Sequence, residues 1–330
     1  MTTVTQANGI FADAVFTRPE DGSVLNCPIL IAGGSTAAYT AALTALRMKV
    51  DVCWVQPHKV VGGQFTAQGL PASDDGDLLR QKATYSRVDG EKFAISKTQR
   101  RFRDRQRQLQ PVAGRRQDNP GGAWGCPITT TPVVAAKALN EPLIPYLQSG
   151  KLRLIADSEP IAVLMLEPIA SSDRPQRARV AGVRFQDRNT GHRFTVNAQV
   201  TIEATDLGEL LELASLPSRV GQESRNDTGE AILPEKAIPA WQQSFTFNVL
   251  VERTAAGRGQ KLPAPKGYGQ ETWLNPHEFT GNYWLKKAHG WSKRDFFAPF
   301  GIFRYRRALR RSLKEKAVSD CDVSIINRGT

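Results

Sequence analysis

Short apolar runs closed by turn residues alternate with a helix-forming segment near the start of the chain. Cys27–Ala32 is a short apolar run followed by Gly33 and Gly34, which is typical of a buried parallel strand. Tyr39–Met48 is rich in the good helix formers Ala and Leu, and Val50–Val55 has the composition of a strand. This order of strand, glycine turn, helix and strand predicts a βαβ unit.

The middle of the chain predicts a helix followed by several strands. Thr131 can cap a helix that begins at Pro132 and continues over Val133–Leu147, with kinks at its two internal prolines. Strand-like segments then follow at short spacing: Leu152–Ala156, Ile161–Leu166, Ala178–Phe185, Arg193–Asn197 and Gln199–Thr205. A further helix is expected from Glu209, and residues 1–26 are expected to form a loosely ordered lead.

The composition is that of a globular protein. Of the 330 residues, 40% are hydrophobic and 23% are charged, which excludes wholesale disorder. The longest apolar runs, such as Pro160–Leu166, are much shorter than the roughly 18 residues of a membrane span, so no membrane association is expected. The N-terminal residues have neither a secretory nor a twin-arginine pattern, and we therefore expect a cytoplasmic protein.

The cysteines and histidines are scattered along the chain. No two cysteines have the CxxC spacing, and no HExxH motif occurs. The residues concerned are Cys27, Cys53, Cys126, Cys321, His58, His192, His277 and His289. The spacing therefore predicts neither a structural metal nor a redox-active dithiol.

The positive charge of the chain is considerable and clustered. Lys and Arg number 44 against 32 Asp and Glu, a formal net charge of +12. One cluster, Arg100–Arg107, is expected to be helical, and the other is Arg304–Arg311. Such clusters either attract an anionic partner or form a solvated helix face, and the solvated face is the favoured interpretation.

The turn after the first strand has features of a phosphate-binding loop. Gly33 and Gly34 permit a tight turn, while Ser35 and Ala38 are small enough for close approach, which gives a degenerate form of GxGxxG. Gln56 stands where the second strand would end in an acidic residue that binds ribose. Its amide can still hydrogen-bond ribose without charge. Alternatively, His58 and Lys59 just beyond it could meet a phosphate.

Three further segments carry a resemblance to a known family. They are Gln56–Gly69, which contains Gly62-Gly63-Gln64, Val200–Leu211, which reads VTIEATDLGELL, and Arg219–Arg225 together with Gln243–Phe247. With these motifs the chain resembles the FAD-dependent oxidoreductases of the glutathione-reductase-like, two-dinucleotide-binding superfamily, in their cyanobacterial-type form. The resemblance extends from about Cys27 to the C-terminus.

The resemblance implies an α/β fold and an FAD cofactor. The fold would be a Rossmann-like FAD-binding βαβ fold with a β-meander insertion and a mixed α+β substrate region. The implied contacts are Gly33, Gly34, Ser35, Thr36, Ala37 and Ala38 to the pyrophosphate, Gln56 to the adenosine ribose, Gly62, Gly63 and Gln64 along the flavin, the backbone of Pro160 and Ile161 to the adenine, and Ala204, Thr205 and Asp206 closing over the cofactor.

The resemblance also implies a domain layout. An N-terminal lead at 1–26 would precede an FAD-binding domain at 27–70 and 133–215, an arginine-rich insertion at 71–132 and a substrate or cap region at 216–330. The late Gly-Asp segment and closing helix of such proteins have no counterpart here. We therefore expect a truncated member with an incomplete FAD site and exposed strand edges through which it would oligomerise.

The chemistry would reside in the flavin, so the sequence assigns no catalytic residue. Groups expected near the flavin ring are Gln64, Thr66, Gln68 and the turn Trp124–Cys126. The substrate would be a small molecule, and an acidic one if Arg219, Arg225 and the Arg100–Arg107 cluster bind it. Two alternatives stay open: an NADP-binding oxidoreductase, and a non-enzymatic basic protein that binds nucleic acid, the less favoured of the two.

Overall fold

The computed structural model describes residues 3–6, 15–73, 95–166, 179–242, 248–259, 297 and 301–327. The chain divides into two compact units. The first unit is Met1–Ala67, Leu139–Thr246 and Gly329–Thr330, and the second is Gln68–Ala138 and Phe247–Arg328. The segment Gln243–Phe247, which contributes to the family resemblance, lies outside the described residues.

The described elements comprise strands, α-helices and two 3₁₀ turns. The strands are β1 (Thr3–Gln6), β2 (Val15–Arg18), β3 (Val24–Ala32), β4 (Val52–Val55), β5 (Leu152–Ile155), β6 (Ser158–Leu166), β7 (Arg179–Asp187), β8 (Arg193–Glu203), β9 (Asn248–Glu252), β10 (Arg307–Leu309) and β11 (Val323–Asn327). The helices are α1 (Thr36–Arg47), α2 (Lys97–Leu109), α3 (Pro132–Asn140), α4 (Ile144–Gln148), α5 (Glu209–Leu213), α6 (Arg225–Thr228) and α7 (Ile302–Tyr305), with 3₁₀ turns at Gly63–Phe65 and Glu141–Leu143.

The first unit is built on a six-stranded sheet in the order β5-β4-β3-β8-β7-β6. Strands β5, β4, β3 and β8 are parallel, whereas β7 is antiparallel to both β8 and β6. All four residues of β4 are buried, which agrees with the continuous apolar pattern of a strand covered on both faces. The predicted α/β class with a Rossmann-like, parallel-rich sheet is confirmed.

Helix α1 packs its apolar side on the parallel strands. Ala38, Ala42 and Leu43 are buried on the helix. Tyr39 meets the fully buried Trp54 of β4 edge to face, with 6.4 Å between the ring centroids. The predicted strand–turn–helix–strand unit is therefore present, and it places the turn after β3 at the carboxyl end of the sheet.

The β-meander contains one strand where the sequence predicted two. Arg193–Asn197 and most of Gln199–Thr205 belong to the continuous strand β8, which pairs with β7 over Arg193–Asn197 and with β3 from Thr195 to Glu203. Phe185 and Phe194 stack across β7 and β8 at 5.6 Å and fill the core beneath the meander.

The N-terminal residues are more ordered than predicted where the structure describes them. Strands β1 and β2 pair antiparallel, and β3 begins at Val24. Cys27 and Cys53 form a disulfide between the neighbouring strands β3 and β4. Sequence spacing missed this pair because 26 positions separate the two cysteines, and only the parallel pairing of the strands brings them together.

Helix α3 begins where the sequence predicted. The hydroxyl of Thr131 accepts a hydrogen bond from the Val134 amide at 3.4 Å, and Pro132 is the first helical residue. The prolines divide the predicted helix into α3, a 3₁₀ turn and α4, since proline cannot donate the hydrogen bond that would continue a helix. None of the helices that the structure describes has the length and apolar content needed to cross a membrane.

The second unit contains α2 and a small sheet in the order β10-β11-β9. The interpretation of its arginine clusters as a solvated helix face is wrong for five of their residues, whereas Arg101 and Arg311 are exposed. Arg103, Arg107, Arg304, Arg307 and Arg310 are all buried. Four of them donate to the carbonyl oxygens of one loop, residues 118–122: Arg107 to Asp118, Arg310 to Pro120, Arg307 to Gly121 and Arg304 to Gly122. Guanidinium groups are buried because irregular backbone needs donors for its carbonyl oxygens.

The carboxylate of Asp322, which binds one of these arginines, is fully buried. Asp322 accepts from Arg307 Nη1 at 3.1 Å and from the backbone amides of Arg311 and Ser319 at 2.8 and 3.1 Å. Burial lowers the pKa of Arg307 to about 10, against the opposing effect of Asp322. The ion pair with Asp322 therefore offsets the free-energy cost of burying the positive charge of Arg307.

Replacement of Asp322 by Asn is expected to destabilise the second unit by about 3 kcal/mol or more, because the buried Arg307 loses its counter-charge. The measurement is the free energy of unfolding in urea. Asp320→Asn is the matched control: Asp320 is exposed and lies 3.5 Å from Arg253, and its loss should cost under about 1 kcal/mol. Equal effects of the two substitutions would contradict the account.

Candidate cofactor site

The site lies where β3, β4 and β8 end side by side. The Gly33 amide donates to the Val55 carbonyl at 2.9 Å, and the Trp54 indole donates to the Gly33 carbonyl at 2.7 Å. The Ala204 amide donates to the Ala32 carbonyl at 2.8 Å. These bonds extend the sheet pairing past the strand ends, so the turn after β3 is fixed from both sides.

A single peptide group, the one between Ala204 and Thr205, packs against this turn. Its carbonyl oxygen accepts from Ser35 Oγ at 2.7 Å, and its N–H donates to Glu203 Oε1 at 2.6 Å. A Cβ on Gly33 would lie only 2.0 Å from the Ala204 oxygen and 2.3 Å from the Thr205 nitrogen. Gly33, whose φ is +120°, is therefore required by contact with protein backbone.

The first turn of α1 presents unpaired backbone donors. Ser35 is the N-cap, and its Oγ accepts from the Ala38 amide at 3.2 Å. The N–H groups of Thr36 and Ala37 precede the first intrahelical bond and have no partner in the described part of the chain. Ala38 is buried, so its side chain contributes to packing. The turn can accept an anion because the helix dipole adds to the free N–H groups.

The Gly62-Gly63-Gln64 turn lies against the same helix end. A Cβ on Gly63 would be 2.9 Å from Ser35 Cα and from the Thr36 nitrogen, and the φ of Gly63 is +50°. Glycine is thus needed for this close approach. Gln64 is the exposed middle residue of the 3₁₀ turn, and the buried Thr66 hydroxyl donates to the Val61 carbonyl at 2.7 Å.

Gln56 gives the strongest indication that the site can bind a ligand. It follows β4 and is fully buried, yet neither Oε1 nor Nε2 of its side chain has a hydrogen-bond partner among the described residues. A Cβ on Gly34 would stand 3.4 Å from Gln56 Oε1, so this amide lies beside the glycine turn. An unpaired buried polar group costs about 1–3 kcal/mol, which a ligand with a hydroxyl pair would offset. The residues present therefore fit a dinucleotide.

Charged groups lie close to Pro57, His58 and Lys59, which follow Gln56. Lys59 pairs with Asp157 at 3.6 Å, and the Arg188 guanidinium donates to the Pro57 carbonyl at 3.3 Å. Burial lowers the pKa of His58, and the nearby Asp206 opposes that shift. Burial thus disfavours the positively charged form of His58, the form that would attract a phosphate.

The structure places the other predicted residues as follows. Ile161 is an extra residue on β6, because the register with β7 shifts between Pro160 and Ala162. Asp206 is exposed in the loop between β8 and α5, and Ala204 is buried.

The residues expected near the flavin ring are divided between the units. Trp124, Gly125 and Cys126 belong to the second unit, where Cys126 is buried with Leu70 and Ala72. Gln68 also belongs to the second unit.

Glu203 is a residue of this site that the sequence motifs did not predict. Its Oε1 accepts from the Thr205 amide and hydroxyl, and its Oε2 accepts from the Leu210 amide at 2.7 Å. The available signal was an acidic residue at a strand end directly before Ala-Thr. This signal is weak, because strand ends are often polar.

Comparison with known families identifies the class. The model of the family described as FAD dependent oxidoreductase matches residues 28–327. The chain therefore belongs to this family, and FAD is its cofactor. No curated protein matches the sequence.

Solved structures are similar only at a distance. Sdh1 of Mycobacterium smegmatis is 13% identical with a TM-score of 0.33, over 55% of this chain and 34% of that one. A geranylgeranyl bacteriochlorophyll reductase-like protein of Thermoplasma acidophilum is 13% identical with a TM-score of 0.33, over 59% and 43%. THI4 of Thermovibrio ammonificans is 10% identical with a TM-score of 0.35, over 64% and 76%. The chain spans less than half the length of the first two.

The two glycines of the turn should respond differently to alanine. Gly33→Ala is expected to lower the free energy of unfolding by roughly 2–4 kcal/mol, because its Cβ strikes backbone and its φ is positive. Gly34→Ala should cost under about 1 kcal/mol, since its Cβ would meet side chains at 3.3–3.4 Å. Urea unfolding measures both. A Gly33→Ala variant as stable as Gly34→Ala would contradict the packing described.

Proposed function

We propose that the first unit binds FAD with its pyrophosphate at the first turn of α1 and its adenosine ribose at Gln56. The protein would then act as an FAD-dependent oxidoreductase that moves a hydride or electrons between the flavin and a small-molecule substrate. The unpaired, fully buried amide of Gln56 beside the glycine turn carries this proposal. Membership of the FAD dependent oxidoreductase family supports it.

Electrostatics favour a phosphate at α1. The first turn contains no acidic residue, and the N–H groups of Thr36 and Ala37 are available there. A diphosphate would take these donors and lie in the positive field of a twelve-residue helix.

Gln56 suits a ribose in a different way from an acidic residue. A carboxylate only accepts hydrogen bonds, whereas an amide both donates and accepts. Oε1 would accept from one ribose hydroxyl and Nε2 would donate to the other, which satisfies both atoms at once. The neutral amide also avoids placing a negative charge near the diphosphate.

The chain's own residues bind and orient, and the bound flavin supplies the redox chemistry. The backbone donors of α1 hold the phosphates, and Gly63 permits close approach to the helix end. The backbone of Ile161, at the bulge of β6, would contact the adenine. The peptide between Ala204 and Thr205 supports the turn from the side of β8.

Arg219, Arg225 and the buried arginines of the two clusters already have partners within the chain. Arg219 pairs with Asp227 at 3.1 Å, and Arg225 donates to the Leu233 carbonyl. Four of the five buried arginines of the two clusters donate to backbone carbonyls, and Arg103 donates to the Ser73 hydroxyl. We therefore assign neither an acidic substrate nor a nucleic acid from these residues.

A titration of the purified protein with FAD tests the proposal, followed by absorbance between 300 and 550 nm. Wild-type protein should show the shifted, structured flavin bands of a bound cofactor. Gln56→Leu should weaken FAD binding about tenfold or more, because the ribose loses its partners. The apo form of this variant should be at least as stable as the wild type, since an unpaired buried amide is removed.

Gln148→Leu, at the exposed end of α4, is the matched control and should bind FAD as the wild type does. If the wild-type protein takes up no FAD, the proposed function is wrong. A Gln56→Leu variant that binds FAD normally would remove Gln56 from the site.

A further inference from the structure

We propose that Glu203 is a positioning residue for the phosphate-binding turn, which it controls through the peptide group between Ala204 and Thr205. The inference rests on the proposed function, because it concerns how the same turn is held for the FAD diphosphate. Glu203 is the last residue of β8 and lies at the carboxyl end of the sheet, next to the end of β3.

Glu203 uses both of its carboxylate oxygens. Oε1 accepts from the Thr205 amide at 2.6 Å and from the Thr205 hydroxyl, and Oε2 accepts from the Leu210 amide at 2.7 Å. One side chain thus joins the start of the loop after β8 to helix α5. A neutral amide could not replace it fully, because Gln has one acceptor oxygen and would turn its NH₂ group toward a backbone N–H.

Thr205 makes the loop rigid. Its hydroxyl gives its only proton to Glu203 and accepts from the amides of Gly208 and Glu209, both at 3.0 Å. A hydroxyl has one proton and two lone pairs, so its hydrogen-bonding capacity is fully used. The Thr205 side chain cannot turn without breaking three bonds.

The peptide plane transmits this position to α1. The N–H of Thr205 and the C=O of Ala204 belong to one planar group, so fixing the N–H fixes the direction of the carbonyl. That carbonyl accepts the Ser35 hydroxyl proton at 2.7 Å, which leaves a lone pair of Ser35 Oγ directed at the Ala38 amide. The N-cap is thereby set, and the N–H groups of Thr36 and Ala37 stay free for phosphate.

Gly33 further limits the movement of the peptide group between Ala204 and Thr205. The peptide group lies so close that a Cβ on Gly33 would overlap it. The peptide group is thus held both by its contact with Gly33 and by its bond to Glu203. If the Glu203 bond is lost, the plane can tilt away from Gly33, and Ser35 follows.

The experiment compares Glu203→Gln with the control Glu212→Gln, an exposed position on α5. FAD affinity is measured by quenching of flavin fluorescence, and ADP and adenosine are then used as competitors against FAD. E203Q should weaken the affinity for FAD and ADP about tenfold or more, while the affinity for adenosine changes less than about twofold, because only phosphate binding depends on the turn. E212Q should resemble the wild type with all three ligands.

A double substitution adds a readout that a general loss of packing would not reproduce. Because Glu203 and Ser35 act along one path, Ser35→Ala combined with E203Q should bind ADP no more weakly than the weaker single variant. If E203Q does not fold, Glu203→Asp replaces it with the same expectations, since the shorter side chain keeps both oxygens but cannot reach both partners.

The possible results distinguish a failure of the proposed function from a failure of the role proposed for Glu203. Failure of the wild type to bind FAD or ADP would overturn the proposed function itself. Normal FAD binding by the wild type together with unchanged ADP affinity in E203Q would overturn only the role of Glu203. Equal losses of ADP and adenosine affinity, or fully additive effects of E203Q and Ser35→Ala, would assign Glu203 a merely structural role and overturn the proposal as well.

Discussion

The contact between the Ala204–Thr205 peptide group and Gly33 is the constraint on which the rest of the site depends. It requires glycine at position 33, sets the hydroxyl of Ser35 and brings the ends of β3 and β8 together. The first turn of α1 is thereby aligned before any ligand binds. Such preorganisation lowers the ordering cost of binding, which otherwise reduces affinity. The degenerate glycine pattern fits this arrangement, because Gly33 serves packing and the proposed phosphate contacts come from the N–H groups of the helix.

In the second unit, buried charged side chains provide the hydrogen-bond donors that an irregular loop needs. Its loop at 118–122 is irregular, and its carbonyl oxygens find donors in buried guanidinium groups from α2 and from the segment around β10. Arginine suits this use because its planar group offers five donors in fixed directions. Part of the positive charge of the sequence therefore has an internal role, which a count of charges does not reveal.

Local sequence patterns predicted the helices and strands well, because the formation of these elements depends largely on neighbouring residues. The βαβ unit, the Thr131 cap with Pro132 and the break at Pro142 each follow from local propensity. Features that depend on distant pairing were missed or wrong: the Cys27–Cys53 disulfide, the burial of the arginines and the continuity of β8. In the site, the glycine turn and Gln56 were predicted from their places at strand ends. Glu203 was not, because its partners become apparent only once β8 lies beside β3.

Backbone amide resonances of the protein, followed as FAD is added, test most directly whether the first turn of α1 receives the phosphates. The account predicts that the amide protons of Thr36 and Ala37 move downfield, as they do when an N–H begins to donate to an anion. The Ala38 amide, already bonded to Ser35, should move much less. Saturation with FAD that leaves Thr36 and Ala37 unchanged, with shifts confined to the second unit, would contradict it.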